Sequence, residues 1–432
     1  MGGRRWVRGA LAALVPPALL ASTLGAAGTP GMSGTSATQE TPPSARTPVV
    51  LFPAYALTKM LVTVNNQRVT AECPQWGHFE SWYRNDRPST TFSQVCQDRL
   101  MTLRYRDTPS LPMPARFSAQ PGVDVRIVGY GRTDSAPFYE PMYRRLEAAG
   151  YVRGKDIRVA GYDFRLTPDM GGFLQRTRQL IEDVYRSNGN RPVHLVGHAN
   201  GPLYAQYLLT HTSRAWRAKH IHGFTPIAGN LPGQGLLYPV LFTGLNVQDF
   251  SHPTTRENAE SSARMLQSAP SSYMSAADPK IFDDREVVVR NSSTGRSYTP
   301  RDHPRLLADA NLPTVRKIAG HYIGFVRFAD ASSFPGVDVY AEKGSGVPTA
   351  VGAPLADLTT GQVTDAQNWM RRDGDGNQED LTNDAVLAWR AMPCHRFTLT
   401  DNPGVDHFAL PGHPALLDRL VTRLGQPPTH CP

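Results

Sequence analysis

Residues Arg191 to Tyr207, RPVHLVGHANGPLYAQY, constrain this chain more than any other stretch. Val193, Leu195 and Val196 form an apolar run of the length a buried strand takes. Leu203, Tyr204, Tyr207 and Leu208 then recur at helical spacing. Between them stands Gly197-His198-Ala199-Asn200-Gly201. A strand that enters a helix through so short a segment must turn sharply, and glycines at both ends leave room where side chains would collide. The central residue is then held out at the carboxyl end of the strand. Here that residue is Ala199, which carries no hydroxyl.

The rest of the chain repeats the alternation of strand and helix. Val49 to Phe52 reads as a buried strand that ends at Pro53, and the loop Ala54 to Met60 leaves its carboxyl end, where parallel sheets place their ligands. Val123 to Val128 alternates as a strand does. Tyr139 to Ala149 and Phe173 to Tyr185 carry helical faces, and Ile157 to Tyr162 and His222 to Ile227 read as further strands. This rhythm predicts an α/β fold with a mostly parallel sheet and helices on both faces. From about residue 228 to 328 it breaks down into Pro-, Ser- and Gly-rich chain, which predicts long loops forming a cap insertion over the site. Val337 to Tyr340 returns to the sheet, and Leu416 to Leu424 reads as a closing helix.

Residues 1–28 place Arg4, Arg5 and Arg8 before the apolar stretch Ala10 to Leu24, followed by small residues. This is the pattern of a secretory signal peptide. An uncleaved anchor is the alternative, but Pro16-Pro17 interrupts a run already short of the roughly 20 apolar residues a span needs. Residues 29–47 read as a flexible leader, and 48–432 as the folded domain. The net charge of +8 falls to +5 without the three leader arginines (8 − 3), a mild bias toward anionic surfaces such as acidic phospholipid. No nucleic-acid motif is present.

Four cysteines in an exported chain suggest two disulfides, with Cys73–Cys96 and Cys394–Cys431 the most local of three connectivities. The loop 73–96 holds Trp76, Phe79, Trp82, Tyr83 and Phe92. Such a loop makes either a satellite core or a flap that touches lipid, because Trp and Tyr favour the membrane interface. Asn291-Ser292-Ser293 is a glycosylation sequon.

Strand, G-x-x-x-G turn and helix together form the nucleophile elbow of α/β-hydrolases, where the centre is a Ser and the triad follows in the order nucleophile, acid, base. A Gly-rich turn of ordinary kind is the alternative. Asp373-Gly374-Asp375-Gly376 is the best acid candidate, since flanking glycines let a carboxylate approach an imidazole. The run also resembles the start of a calcium loop, but Gln378 and Asp384 stand where that loop requires Gly and Glu. Of His395, His407, His413 and His430, His407 lies in a polar turn, PGVDHF, entering the last helix. It suits a general base held in one tautomer by the acid.

These segments in this order resemble the family of lecithin:cholesterol acyltransferase and lysosomal phospholipase A2. The likeness runs from about Pro48 to the C-terminus. It includes PVVLFP at Pro48–Pro53, the cysteine loop, GVDVRIVGYG at Gly122–Gly131, GYDFR at Gly161–Arg165, the elbow, GSGVPT at Gly344–Thr349, DGDG at Asp373–Gly376 and PGVDH at Pro403–His407. The resemblance implies Asp375 as acid, His407 as base, and a disulfide-bounded lid over 73–96 in which Trp82, with Trp76 and Phe79, contacts lipid. It implies an acyl-enzyme formed from a glycerophospholipid, with the acyl group passing to water or to a sterol or other lipophilic alcohol. No metal or cofactor is implied. Backbone N–H groups of Asn200 and Tyr55 would hold the oxyanion. The implied setting is a membrane or lipoprotein surface, in an extracellular or lysosomal-type compartment.

The chain departs from the family pattern in three places. Ala199 replaces the nucleophile, which makes a catalytically dead, lipid-binding relative the alternative. Pro53-Ala54-Tyr55-Ala56 lacks the usual Gly after Pro, and Asn377-Gln378 replaces Thr-Val beside the acid.

Overall fold

The computed structural model describes residues 46–429 apart from 67–69, 83–88, 245–254, 327, 329–332, 359–361 and 364–368. Everything described lies in the unit Ala45–Pro432. The expected signal peptide, most of the leader, His430 and Cys431 fall outside the described residues.

Six strands form the central sheet. In spatial order they are Phe397–Pro403, Val339–Ser345, Ile221–Ile227, Val193–His198, Val49–Phe52 and Ile157–Val159, and every pairing is parallel. Val49–Phe52 and Val193–His198 are buried at every position, as strands covered on both faces must be. Alternation sorts their side chains. Val50 and Phe52 enter one core with the helices Phe173–Ser187 and Gly201–Thr210, while Val49 and Leu51 enter another with Glu140–Ala148 and the closing helix Pro414–Leu424.

Two sequence expectations are corrected. Val123–Ile127 does not join the central sheet. It pairs antiparallel with Met60–Asn65, which pairs in turn with Trp76–Ser81. Its alternation is that of a sheet with one face in a core, not of a doubly covered parallel strand. The described residues of 228–328 also hold more helix than their composition suggests. They hold the helices Leu237–Thr243, Arg256–Ser268, Pro270–Met274, His303–Asp309 and Pro313–Tyr322. Tyr238, Leu241, Phe282, Leu306, Ile318 and Tyr322 build a second core with Ala353 and Leu355. Three of the Pro residues, Pro270, Pro304 and Pro313, stand at the first turns of these helices, where the missing N–H costs nothing.

The Cys73–Cys96 disulfide closes over a small core of Phe79, Phe92, Leu100 and Met101. Asp98 ties this region to the helix Arg256–Ser268, accepting from the Ser261 and Ser262 hydroxyls at 2.8 and 2.7 Å. Burial raises the Asp98 carboxyl above its usual range, against those bonds. No described cysteine is free, and the expected partner of Cys394 lies outside the described residues.

Candidate active site

The elbow forms as its sequence demands. Ala199 has φ +54°, a left-handed conformation costly for any residue with a Cβ. A Cβ on Gly201 would lie 2.1 Å from the carbonyl oxygen of Phe52, and one on Gly197 would lie 2.8 Å from the Pro202 nitrogen. The first glycine lets the helix seat on the end of the first strand, and the second lets strand and helix close on each other. The turn is fastened on both sides: the Ala199 amide donates to Ile227 O at 3.0 Å, and its carbonyl accepts the Asn230 amide at 2.8 Å. The Ala199 methyl is 6% exposed, so the elbow sits at the floor of the site.

Asp375 and His407 meet. Asp375 Oδ2 lies 2.9 Å from His407 Nδ1, and the His407 amide donates to the Asp375 carbonyl at 2.8 Å. Asp375 Oδ1 accepts from the amides of Asn377 and Gln378 at 3.0 and 2.7 Å. Both carboxylate oxygens are thus held, and a carboxylate can only accept, so the contact selects the tautomer whose proton is on Nδ1 and whose Nε2 lone pair is free. Among the described residues Nε2 has no hydrogen-bond partner. Asp373 has a different task, because its Oδ1 accepts the amides of Gly346 and Gly374 at 2.8 and 2.9 Å and shapes the turn. His395 stands 3.7 Å from Asp338 instead, and the buried Nδ1 of His413 lacks a partner in the described chain.

The loop after the first strand is a tight turn, with the Leu57 amide bonded to Ala54 O at 3.1 Å and Ala56 at φ +54°. The side chain of Tyr55 packs toward the disulfide-bounded core, its ring edge-on to Phe164 at 5.0 Å. Burial pushes its hydroxyl up to about 12. The bulk that the sequence places here is therefore taken up by packing against Phe164 and the small core. Among the described residues neither the Tyr55 amide nor the Asn200 amide has a hydrogen-bond partner, and Asn200 is oriented by its side chain. Its Nδ2 donates to Ser275 Oγ at 2.6 Å and its Oδ1 accepts from Asn230 Nδ2 at 2.8 Å. Ser275 is no substitute nucleophile, since its hydroxyl is committed to Ser271 O at 2.9 Å.

Two site residues escaped sequence reasoning. His198 and Tyr139, both buried, share a hydrogen bond of 3.0 Å. The one signal in the sequence was a polar His inside an apolar strand. Three expectations at the periphery are revised. Phe79 is only 3% exposed and stacks in the small core against Phe92, so it does not face lipid. Trp76 is 61% exposed, while Trp82 is part-buried beneath Lys59. Asn291 is 8% exposed at the end of the strand Val289–Asn291, with its Oδ1 accepting from Ser293 and Thr294, so the sequon residue is buried rather than at an exposed loop.

The model of the lecithin:cholesterol acyltransferase family matches residues 117–292, a range that holds the elbow and ends before Asp375 and His407. The mouse lysosomal phospholipase A and acyltransferase is 28% identical over 323 residues, 71% of this chain and 74% of its own length. The chicken phosphatidylcholine-sterol acyltransferase is 27% identical over 310 residues, 68% of this chain and 70% of its own. Among solved structures, a chain of the Tle4–Tli4 complex covers 88% of this chain and 98% of its own at 11% identity, with a TM-score of 0.49. No helix of the described residues is long and apolar enough to cross a membrane. The elbow and the parallel sheet give the chain the architecture of an α/β-hydrolase, and in sequence it is similar to the lecithin:cholesterol acyltransferase family over residues 117–292.

Proposed function

We propose that the chain carries the acyl-transfer site of a phospholipase A or O-acyltransferase acting on glycerophospholipid esters, with Ala199 at the position of the nucleophile. Asp375 is the acid, His407 the base, and the amides of Asn200 and Tyr55 the oxyanion donors. The acyl acceptor is water or a sterol or other lipophilic alcohol, and the chemistry needs no cofactor. Residues 73–96 act as a lid at a membrane or lipoprotein surface through Trp76 and Trp82, and 228–328 cap the site. Residues 1–28 direct the chain into a secretory route toward an extracellular or lysosomal-type compartment, followed by a leader over 29–47.

The observation that carries this reading is strain kept without its usual use. Ala199 holds φ +54° at the floor of the site while Asp375 and His407 stay 2.9 Å apart. A left-handed Ala costs roughly 1–2 kcal/mol, and a site released from acyl transfer has no need to retain it. A second reading, a catalytically dead relative that binds lipid, is favoured by Ala199 itself. Loss of a Ser nucleophile lowers turnover on the order of 10⁶-fold, about 8 kcal/mol of barrier.

The test is Ala199→Ser assayed for acyl release from phospholipid vesicles. At least ~10³-fold more activity than the parent chain supports the first reading. A folded variant with no gain supports the second.

A further inference from the structure

We infer that Tyr139 and His198 form a positioning relay that fastens the oxyanion loop and the base loop to the residue preceding the elbow, an inference that rests on the acyl-transfer reading above. The Ala54 amide donates to Tyr139 Oη at 2.8 Å, Tyr139 Oη stands 3.0 Å from His198 Nδ1, and His198 Nε2 stands 3.0 Å from the carbonyl oxygen of His407. The chain joins residues 85, 59 and 209 positions apart in sequence. All four residues are at most 3% exposed.

Its direction is fixed by chemistry. A carbonyl only accepts, so Nε2 of His198 bears the proton. A neutral imidazole then offers Nδ1 as an acceptor, and the Tyr139 hydroxyl donates to it. The Tyr139 oxygen in turn receives the Ala54 amide. Every bond points the same way, an arrangement in which each bond polarises the next. Burial holds His198 well below the ordinary His value, and the nearby His407 adds to this, so the neutral form persists. The Phe138 ring lies parallel to the imidazole at 6.3 Å, and Phe408 meets it edge-on at 6.4 Å, which restrains ring rotation.

The ends of the chain give it its role. Ala54 precedes Tyr55, and occupation of the Ala54 amide by Tyr139 holds that turn in place with the Tyr55 amide available as a donor. At the other end, His407 is held at its amide by the Asp375 carbonyl, at Nδ1 by the Asp375 carboxylate, and at its carbonyl by His198. A buried polar pair costs more than an apolar pair of the same shape unless fully bonded. Phe and Leu would fill the same space without that cost.

The experiment uses the Ala199→Ser chain as parent. Tyr139→Phe removes one oxygen and keeps the ring. It is expected to lower kcat on the order of 10²-fold with KM nearly unchanged. His198→Leu should do the same, and His198→Gln, which keeps a donor near the His407 carbonyl, should recover most of the loss. Variants that keep kcat within about twofold of the parent overturn the relay while the acyl-transfer reading stands. A parent with no activity defeats that reading instead. The relay is then decided in the unaltered chain by histidine ring nitrogen shifts and hydrogen exchange. A neutral, Nε2-protonated His198 supports it, together with an Ala54 amide that exchanges about tenfold faster in Tyr139→Phe. An Nδ1-protonated or charged His198, or unchanged exchange, overturns it.

Discussion

Asp375 holds His407 twice, once through its carboxylate at Nδ1 and once through its carbonyl at the His407 amide. The double hold fixes both the place of the imidazole and its tautomer. In the Ala199→Ser background, Asp375→Asn can present an NH₂ group to Nδ1 and move the proton to Nε2. We expect kcat near pH 7 to fall on the order of 10⁴-fold with the fold intact. Turnover within about tenfold of the parent would remove Asp375 from the role of acid.

Restoring the hydroxyl at the strained turn should also make it nucleophilic. Ala199→Ser is expected to take up one equivalent of a phosphonate ester, read as a mass increase of the intact protein, and adding His407→Ala should abolish the reaction. The chain as it stands should not be labelled, because Ser275 is hydrogen-bonded to Ser271 O and lies buried. Labelling at any other residue would defeat the assignment of position 199.

Among the described residues of the disulfide-bounded loop, Trp76 is the aromatic that stands in solvent. Inserting it at a membrane interface removes apolar surface from water, worth about 1–2 kcal/mol for a part-buried ring. Trp76→Ala should weaken partition to phospholipid vesicles roughly tenfold, with Trp82→Ala having a smaller effect. Equal partition of the parent and Trp76→Ala would take the loop out of lipid binding.

A buried imidazole pair makes stability depend on pH. His194 and His222 stand 3.0 Å apart at Nδ1, and the outer nitrogens meet Thr225 Oγ1 at 2.8 Å and Gln426 O at 2.6 Å. Burial is the main cause that lowers both below the ordinary value of 6.5. His222 and Arg423 add to this at His194, while the Gln426 carbonyl and Asp338 oppose it at His222, where Arg396 lowers it further. The unfolded chain takes up protons that the folded pair refuses. The stability contributed is therefore full above about pH 6.5 and is lost as pH falls from there, at up to ~1.4 kcal/mol per pH unit for each ring that stays neutral. Urea midpoints at about pH 7.5 and 5.5 should show the drop, and His222→Gln, which keeps a donor to Gln426, should lessen it. Equal midpoints would sink the claim.

Local pattern carried the elements near the site. The strand Val193–His198 and the helix Gly201–Thr210 follow from apolar period and paired glycines, because the steric demands of that turn are met within a few residues. The carboxylate and the imidazole that meet were legible as Gly-flanked polar turns late in the chain, although the choice between Asp373 and Asp375 was not readable locally. It depends on which carboxylate the turn leaves free, and Asp373 is spent on the amides of Gly346 and Gly374. Composition misjudged residues 228–328, since Pro at a helix start looks the same in sequence as Pro in a loop.

By itself, then, the sequence determined that a strained turn would present residue 199 at the end of a parallel strand, since that rests on sterics between near neighbours. Only the tertiary structure decided which side of Tyr55 faces the site, that Phe79 is core while Trp76 is surface, and that Tyr139 and His198 span from Ala54 to His407. The last of these depends on groups 59 to 209 residues apart meeting in a space without water, and no local pattern encodes that distance.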